Sequence, residues 1–158
     1  MARAIAVDGT TAGTMIDFDR SLIGREFEAA APIEVTAEMI ANFRIAIGHT
    51  VVRGVDPADI ASADELVAPP AFAGVFRLAE LTFEKLPNGS RRLAAGMEVD
   101  FIAPIRAGDR IMMMSRITEV YEKTGRTGAM VFMVIGSTLK NQNGEIVARI
   151  DHRFMHRP

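Results

Sequence analysis

The chain has 158 residues, of which 49% are hydrophobic, and it carries a formal net charge of -2. This length and apolar content are typical of one folded domain with a substantial core, which excludes intrinsic disorder for the body of the chain. The near-neutral charge, without a clustered basic face, argues against nucleic-acid binding. The absence of cysteine excludes disulfides, thiolate nucleophiles and cysteine-ligated zinc sites. No apolar run approaches the length of a membrane span, so we expect a cytoplasmic protein that has no contact with a membrane.

The N-terminal third predicts a loose arm, a first strand and one amphipathic helix. Residues 1–20 are rich in Gly, Thr and Ala without periodicity, so we expect them to form the arm, and residues 21–158 to form a single domain. Residues 25–28 and 33–35 alternate between polar and apolar side chains, as a strand does. Thr36 is a favourable N-cap, and the apolar spacing of the next residues predicts a helix that ends at Gly48.

A second helix is predicted after a connection over residues 49–67. Residues 71–86 are apolar almost all round, and two prolines precede them. A helix without a polar face must be covered on all sides by other elements, so we expect this one to be central and largely buried. Residues 87–90 (PNGS) have turn chemistry and should end it.

The remaining chain predicts a meander of antiparallel strands. Alternating segments cover about residues 92–102, 109–122, 129–140 and 145–156. Residues 141–144 (NQNG) are a strong hairpin signal between the last two strands. His152 and His156 are expected on one face of the last strand with Phe154 opposite, and no further ligands accompany them, so we expect no metal. This order of elements is typical of the α+β class.

Three segments resemble the MaoC-like dehydratases, which have the hot-dog fold and act on acyl thioesters. They are residues 66–72 (LVAPPAF), 101–109 (FIAPIRAGD) and 143–147 (NGEIV). The resemblance extends over most of the chain and implies a curved antiparallel sheet wrapped around a long central helix. Within the family it is closest to the N-terminal, non-catalytic type of domain found in R-specific enoyl-thioester hydratases and dehydratases. It implies no cofactor.

The catalytic motif of the family is not recognisable in this sequence. Members carry an Asp and a His a few residues apart just after the first helix, whereas residues 46–56 here read AIGHTVVRGVD. His49 stands where the family has Asp, and Arg53 and Gly54 stand near the position of its His. A reversed pair of His49 and Asp56 is one alternative. A loop histidine with a structural or solvated role is the simpler interpretation.

The resemblance also implies a substrate-binding element at the start of the central helix. In the family, backbone N–H groups there polarise the thioester carbonyl, and Phe72, Ala73 and Gly74 would line the substrate-binding site. The alternative is that Ala73 and Gly74 are small only to allow helix–sheet packing. A carboxylate on the central helix acts in some hot-dog thioesterases, which makes Glu80 a further candidate.

Three functions remain open at this point. The first is a component that binds 3-hydroxyacyl or enoyl thioesters of CoA or acyl-carrier protein, as a homodimer or as a heterodimer with a catalytic hot-dog subunit. The second is a hydratase or thioesterase with a rearranged site that uses His49 or Glu80. The third is a structural hot-dog dimer that binds no thioester.

Overall fold

The computed structural model describes residues 3–4, 20–48, 66–76, 91–126 and 128–157. They form one helix, two short 3₁₀ helices and seven strands. The strands are β1 (Arg3–Ala4), β2 (Glu26–Glu28), β3 (Ile33–Glu34), β4 (Arg91–Phe101), β5 (Arg110–Gly125), β6 (Gly128–Lys140) and β7 (Ile146–Arg157). The helix α1 is Ala37–Ala46, and the 3₁₀ helices are Arg20–Leu22 and Pro70–Val75.

All seven strands belong to one antiparallel sheet in the order β1-β5-β6-β7-β4, with β2 and β3 also paired to β5. The four long strands predicted from alternation are therefore confirmed, as is the antiparallel order. Two residues of the predicted N-terminal arm, Arg3–Ala4, pair with β5. Among the described residues, β4 pairs only with β7, so its other side is an open edge of the sheet.

The β6–β7 hairpin forms where the Asn-Gly signal predicts it. The amide of Gly144 donates to the carbonyl of Asn141 at 2.9 Å, and Gly144 has a φ of 76°. The side-chain Oδ1 of Asn141 accepts hydrogen bonds from the amides of Asn143 and Glu145, each at 3.0 Å. One asparagine side chain thus satisfies two turn amides that would otherwise depend on water.

The two faces of the sheet have different environments because successive strand residues alternate between them. The inner face is marked on β5 by Ile111, Met113, Ser115 and Ile117, which are all buried. It packs against α1 and the Pro70–Val75 3₁₀ helix in one core cluster with Ile40 and Phe72. Register shifts interrupt β4, β5 and the end of β6. Bulges of this kind bend strands, which allows the sheet to curve around its inner face.

The helix α1 follows its sequence signals at both ends. The amide of Met39 donates to Oγ1 of Thr36 at 3.1 Å, which confirms the predicted cap. Gly48 has a φ of 79°, the left-handed conformation that glycine supplies just after a helix. Ile40 is fully buried, but Ile47 at the far end of the predicted apolar stripe is 44% exposed.

The start of the predicted central helix differs from expectation. Residues 70–75 form a 3₁₀ helix rather than an α-helix, and Phe76 is extended with φ -73° and ψ 124°. The hydrogen bonds of this helix join residues three apart. The amide of Phe72 donates to the carbonyl of Pro69, and the amide of Phe76 donates to the carbonyl of Ala73. Proline at the first helical position is compatible with either kind of helix, because the first amides of a helix have no intrahelical acceptor. The proline signal therefore predicted where the helix begins but not its type. The rest of the predicted helix, from Arg77 onwards, lies outside the described residues.

Candidate functional site

The Pro70–Val75 3₁₀ helix is held by the segment that leads into it. The amide of Ala68 donates to the carbonyl of Ile105 at 2.8 Å, and the amide of Ala107 donates to the carbonyl of Leu66 at 3.0 Å. From the other side, Nη2 of Arg44 on α1 donates to the carbonyl of Val67 at 2.6 Å. Two separate parts of the chain, the loop at residues 105–107 and α1, therefore fix the position from which the 3₁₀ helix begins.

The corner before β5 supports the same region. Asp109 is only 8% exposed, and its carboxylate accepts hydrogen bonds from the amide of Arg106 at 2.7 Å and from Nε2 of Gln142 at 3.0 Å. Gly108 has a φ of 87°, a conformation that a side chain would strain. The Gly-Asp pair of the 101–109 motif thus anchors the loop against which residues 66–68 are bonded.

Two of the three residues predicted to bind substrate lie inside the core. Phe72 is 1% exposed and Ala73 is fully buried. The ring of Phe72 makes edge-to-face contacts with Phe43 at 5.4 Å and with Phe76 at 5.8 Å between centroids. Both side chains therefore belong to the core, and packing within the core explains their burial without a ligand.

Gly74 is the predicted site residue that reaches the surface. A Cβ built on Gly74 would lie 2.9 Å from Cε and 3.3 Å from Sδ of Met97 on β4. The methionine side chain therefore covers the backbone at Gly74. Val75 and Met97 are 43% and 48% exposed, so an apolar corner is open here. The contacts of Met97 and Arg44 join distant parts of the chain, so no local pattern in the sequence points to these two residues.

The candidate catalytic residues cannot be placed from this structure. His49, Asp56 and Glu80 all lie outside the described residues. Within the described part of the chain, no group of three or more His, Asp or Glu side chains is arranged to hold a metal ion.

The last strand corrects one expectation about its faces. The rings of His152 and Phe154 stack with centroids 6.0 Å apart and planes 13° from parallel. Residues two apart in a strand point to the same side, so Phe154 shares a face with His152 and His156 instead of opposing them. This is the inner face, since His152 is in register with Ile135.

A separate cleft of about 250 Å³ lies among the strands away from these residues. Its lining includes Arg116 on β5, Gly136 on β6 and Asp151 on β7. Gly136 is in register with both of the other two residues. Arg116 and Asp151 are both exposed. The cleft contains none of the predicted site residues, and its open, polar character does not suit an acyl chain.

No helix in the described part of the chain is long and apolar enough to cross a bilayer.

Comparison with known proteins shows which family the chain resembles. Residues 21–150 match the model of the FAS1-like, dehydratase domain region. The chain is 30% identical over 114 residues to the UPF0336 protein SCO4636 of Streptomyces coelicolor, covering 68% of this chain and 76% of that protein.

Solved structures show the same fold. The C-terminally truncated HadBC (3R-hydroxyacyl-ACP dehydratase) complex of Mycobacterium tuberculosis aligns with a TM-score of 0.64 at 21% identity, covering 85% of this chain and 96% of that chain. The MaoC-like dehydratase of Rhodospirillum rubrum aligns with a TM-score of 0.58 at 20% identity, covering 86% and 94%. The chain therefore belongs to the FAS1-like dehydratase-region family and has the hot-dog fold of the MaoC-like dehydratases.

Proposed function

We propose that this protein is the thioester-binding, non-catalytic component of a 3-hydroxyacyl/enoyl thioester dehydratase. The observation that carries the proposal is the contrast between membership of a dehydratase family and residues 46–56, in which the family's Asp and His do not stand at their expected positions after the first helix. Such a component corresponds to the N-terminal type of MaoC-like domain, which holds the acyl chain while a partner performs the chemistry.

The missing pair matters because of what the reaction requires. Addition of water to an enoyl thioester needs one group to position and deprotonate the water and another to deliver a proton to the α-carbon. In this chain His49 stands at the family's Asp position, and Arg53 and Gly54 stand near its His position, so the family's pair is not in place.

Thioester binding does not require those side chains. The apolar corner at Gly74, Val75 and Met97 offers surface for an acyl chain, next to a 3₁₀ helix whose entry is fixed by α1 and by the loop at residues 105–107. The carrier is CoA or acyl-carrier protein.

A catalytic partner fits the architecture. The open edge of β4 can pair with a second hot-dog subunit, which would extend the sheet and cover unpaired backbone groups. The related HadBC structure is a complex named for 3R-hydroxyacyl-ACP dehydratase activity. We infer a heterodimer with a subunit that carries the Asp/His pair. A homodimer is the alternative.

The test is hydration of crotonyl-CoA by the purified chain, alone and co-expressed with a neighbouring hot-dog subunit that carries the pair. General acid–base groups contribute about 10²–10⁴-fold each, so the chain alone should be at least about 10⁴-fold slower than the complex. Rapid hydration by the chain alone that is abolished in His49→Ala or Glu80→Gln would contradict the proposal and favour a rearranged site. Failure to bind any acyl thioester, alone or in the complex, would leave the structural dimer.

A further inference from the structure

Met97 occupies the space above Gly74. A Cβ at position 74 would lie 2.9 Å from its Cε and 3.3 Å from its Sδ, closer than ordinary van der Waals contact. A side chain at position 74 would displace the flexible end of the thioether, so the glycine lets Met97 lie directly against the backbone. The backbone of the Pro70–Val75 3₁₀ helix is therefore covered at this point by one side chain from β4.

Met97 lies where the buried inner face of the sheet meets solvent at the edge strand. Met97 is in register with His152 on β7, and His152 in turn with Ile135 on β6, so Met97 belongs to the inner face. It lies on the edge strand, just after the register shift between Ala94 and Gly96. Beside it, Ala73 is fully buried while Met97 itself is 48% exposed.

From this geometry we infer that Met97 determines the length of acyl chain that the site accepts. The inference rests on the proposed function, since it assumes that an acyl thioester binds at this corner. An acyl chain that enters between the Pro70–Val75 3₁₀ helix and β4 must displace the Met97 side chain or stop in front of it. Methionine suits such a position because it is unbranched, polarizable and adopts alternative rotamers readily.

The size of the effect follows from the atoms removed. Met97→Ala deletes the Cγ, Sδ and Cε atoms, which leaves room for about two further methylene groups of a ligand. Each buried methylene strengthens binding by about fourfold, so dodecanoyl-CoA should gain about 15-fold in affinity relative to butyryl-CoA. Met97→Phe fills the same space with a rigid ring and should shift the preference towards butyryl-CoA.

The experiment measures the dissociation constants of CoA, butyryl-CoA, octanoyl-CoA and dodecanoyl-CoA for the wild type and both variants by calorimetry. Leu93→Ala is a matched control, because Leu93 lies on the same strand and is 49% exposed but is in register with Met155 on the other face. We expect the control to keep the wild-type chain-length preference, and CoA itself to bind equally to all variants.

The possible results distinguish a wrong assignment of Met97 from a wrong proposed function. If the wild type binds acyl-CoA and Met97→Ala behaves like Leu93→Ala, the assignment of Met97 is wrong while the proposed function stands. The same conclusion follows if Met97→Ala changes the sedimentation coefficient but not the chain-length preference, since Met97 would then be an assembly contact. If neither the wild type nor any variant binds an acyl-CoA, the proposed function fails and this inference fails with it.

Discussion

Ser115 and Ser137 form a polar pair within the buried inner face. Their Oγ atoms are 2.7 Å apart, and the two residues are 2% and 7% exposed. They are directly opposite each other on β5 and β6. One hydroxyl therefore donates a hydrogen bond to the other in a largely buried part of the sheet.

We expect Ser115→Ala to destabilise the fold by about 1–3 kcal/mol, because it leaves the hydroxyl of Ser137 buried without this partner. Ser137→Ala should have a similar effect for the same reason. The double variant should cost less than the sum of the two, since no orphaned hydroxyl remains. Urea denaturation of the three variants measures the free energies of unfolding, and strictly additive values would show that the pair contributes no coupling.

Gly74 offers a second test at the level of single residues. Its φ lies outside the left-handed region, and the atoms close to an added Cβ belong to the flexible end of Met97. We therefore expect Gly74→Phe to change the free energy of unfolding by no more than about 0.5 kcal/mol, as at other surface positions. The ring should nevertheless fill the apolar corner and weaken acyl-CoA binding by about 100-fold, equivalent to about 2.8 kcal/mol.

Calorimetric titration with octanoyl-CoA and thermal unfolding check these two expectations separately. Gly74→Ala is the matched control, because its single methyl group displaces only the tip of Met97. Unchanged binding by a folded Gly74→Phe protein would place the acyl site elsewhere.

At the scale of elements, β4 has a charge pattern that is complementary to itself. It begins with Arg91 and Arg92 and approaches its end with Glu98 and Asp100. Its register shift adds one residue between Ala94 and Gly96, so positions 91 and 100 fall on the same face of the sheet. Antiparallel pairing of two β4 edges centred on that shift would place Arg91 opposite Asp100 of the second copy, twice by symmetry.

If the chain forms a homodimer through this edge, Asp100→Arg should weaken it by about tenfold. The reversal replaces two modest attractions, each worth up to about 1 kcal/mol, by repulsions. The double variant Arg91→Asp/Asp100→Arg should restore dimerisation, because the charges are exchanged rather than lost. Sedimentation velocity over a range of concentrations measures the dimer dissociation constant. A wild-type monomer at micromolar concentration, or no rescue in the double variant, would exclude this homodimer.

At the scale of the whole molecule, the local signals in the sequence were reliable and the long-range ones were not. Alternation located the four long strands, Thr36 and Gly48 bounded α1, and the Asn-Gly pair located the last hairpin. Each of these signals depends on residues within a few positions of one another.

The errors arose where distant segments meet. Nothing in residues 26–34 indicates that they pair with β5. Apolar content alone did not distinguish the 3₁₀ conformation of residues 70–75 from an α-helical one. Gly74 was a candidate because the family has a site there, whereas Met97 becomes relevant only when β4 lies against the 3₁₀ helix.

The pairing of β5 on both of its sides has a consequence for how the chain is synthesised and folds. On one side β5 meets β6, which follows it directly, whereas on the other it meets β1, β2 and β3, which precede it by about half of the chain or more. During translation these three N-terminal strands emerge long before any partner exists for them. The hairpins of β5, β6 and β7 can close locally within residues 110–157, while docking of the N-terminal strands carries a large loop-closure cost. The nascent chain therefore exposes unpaired strand edges until its second half is complete, and this interval is when it is most prone to aggregate.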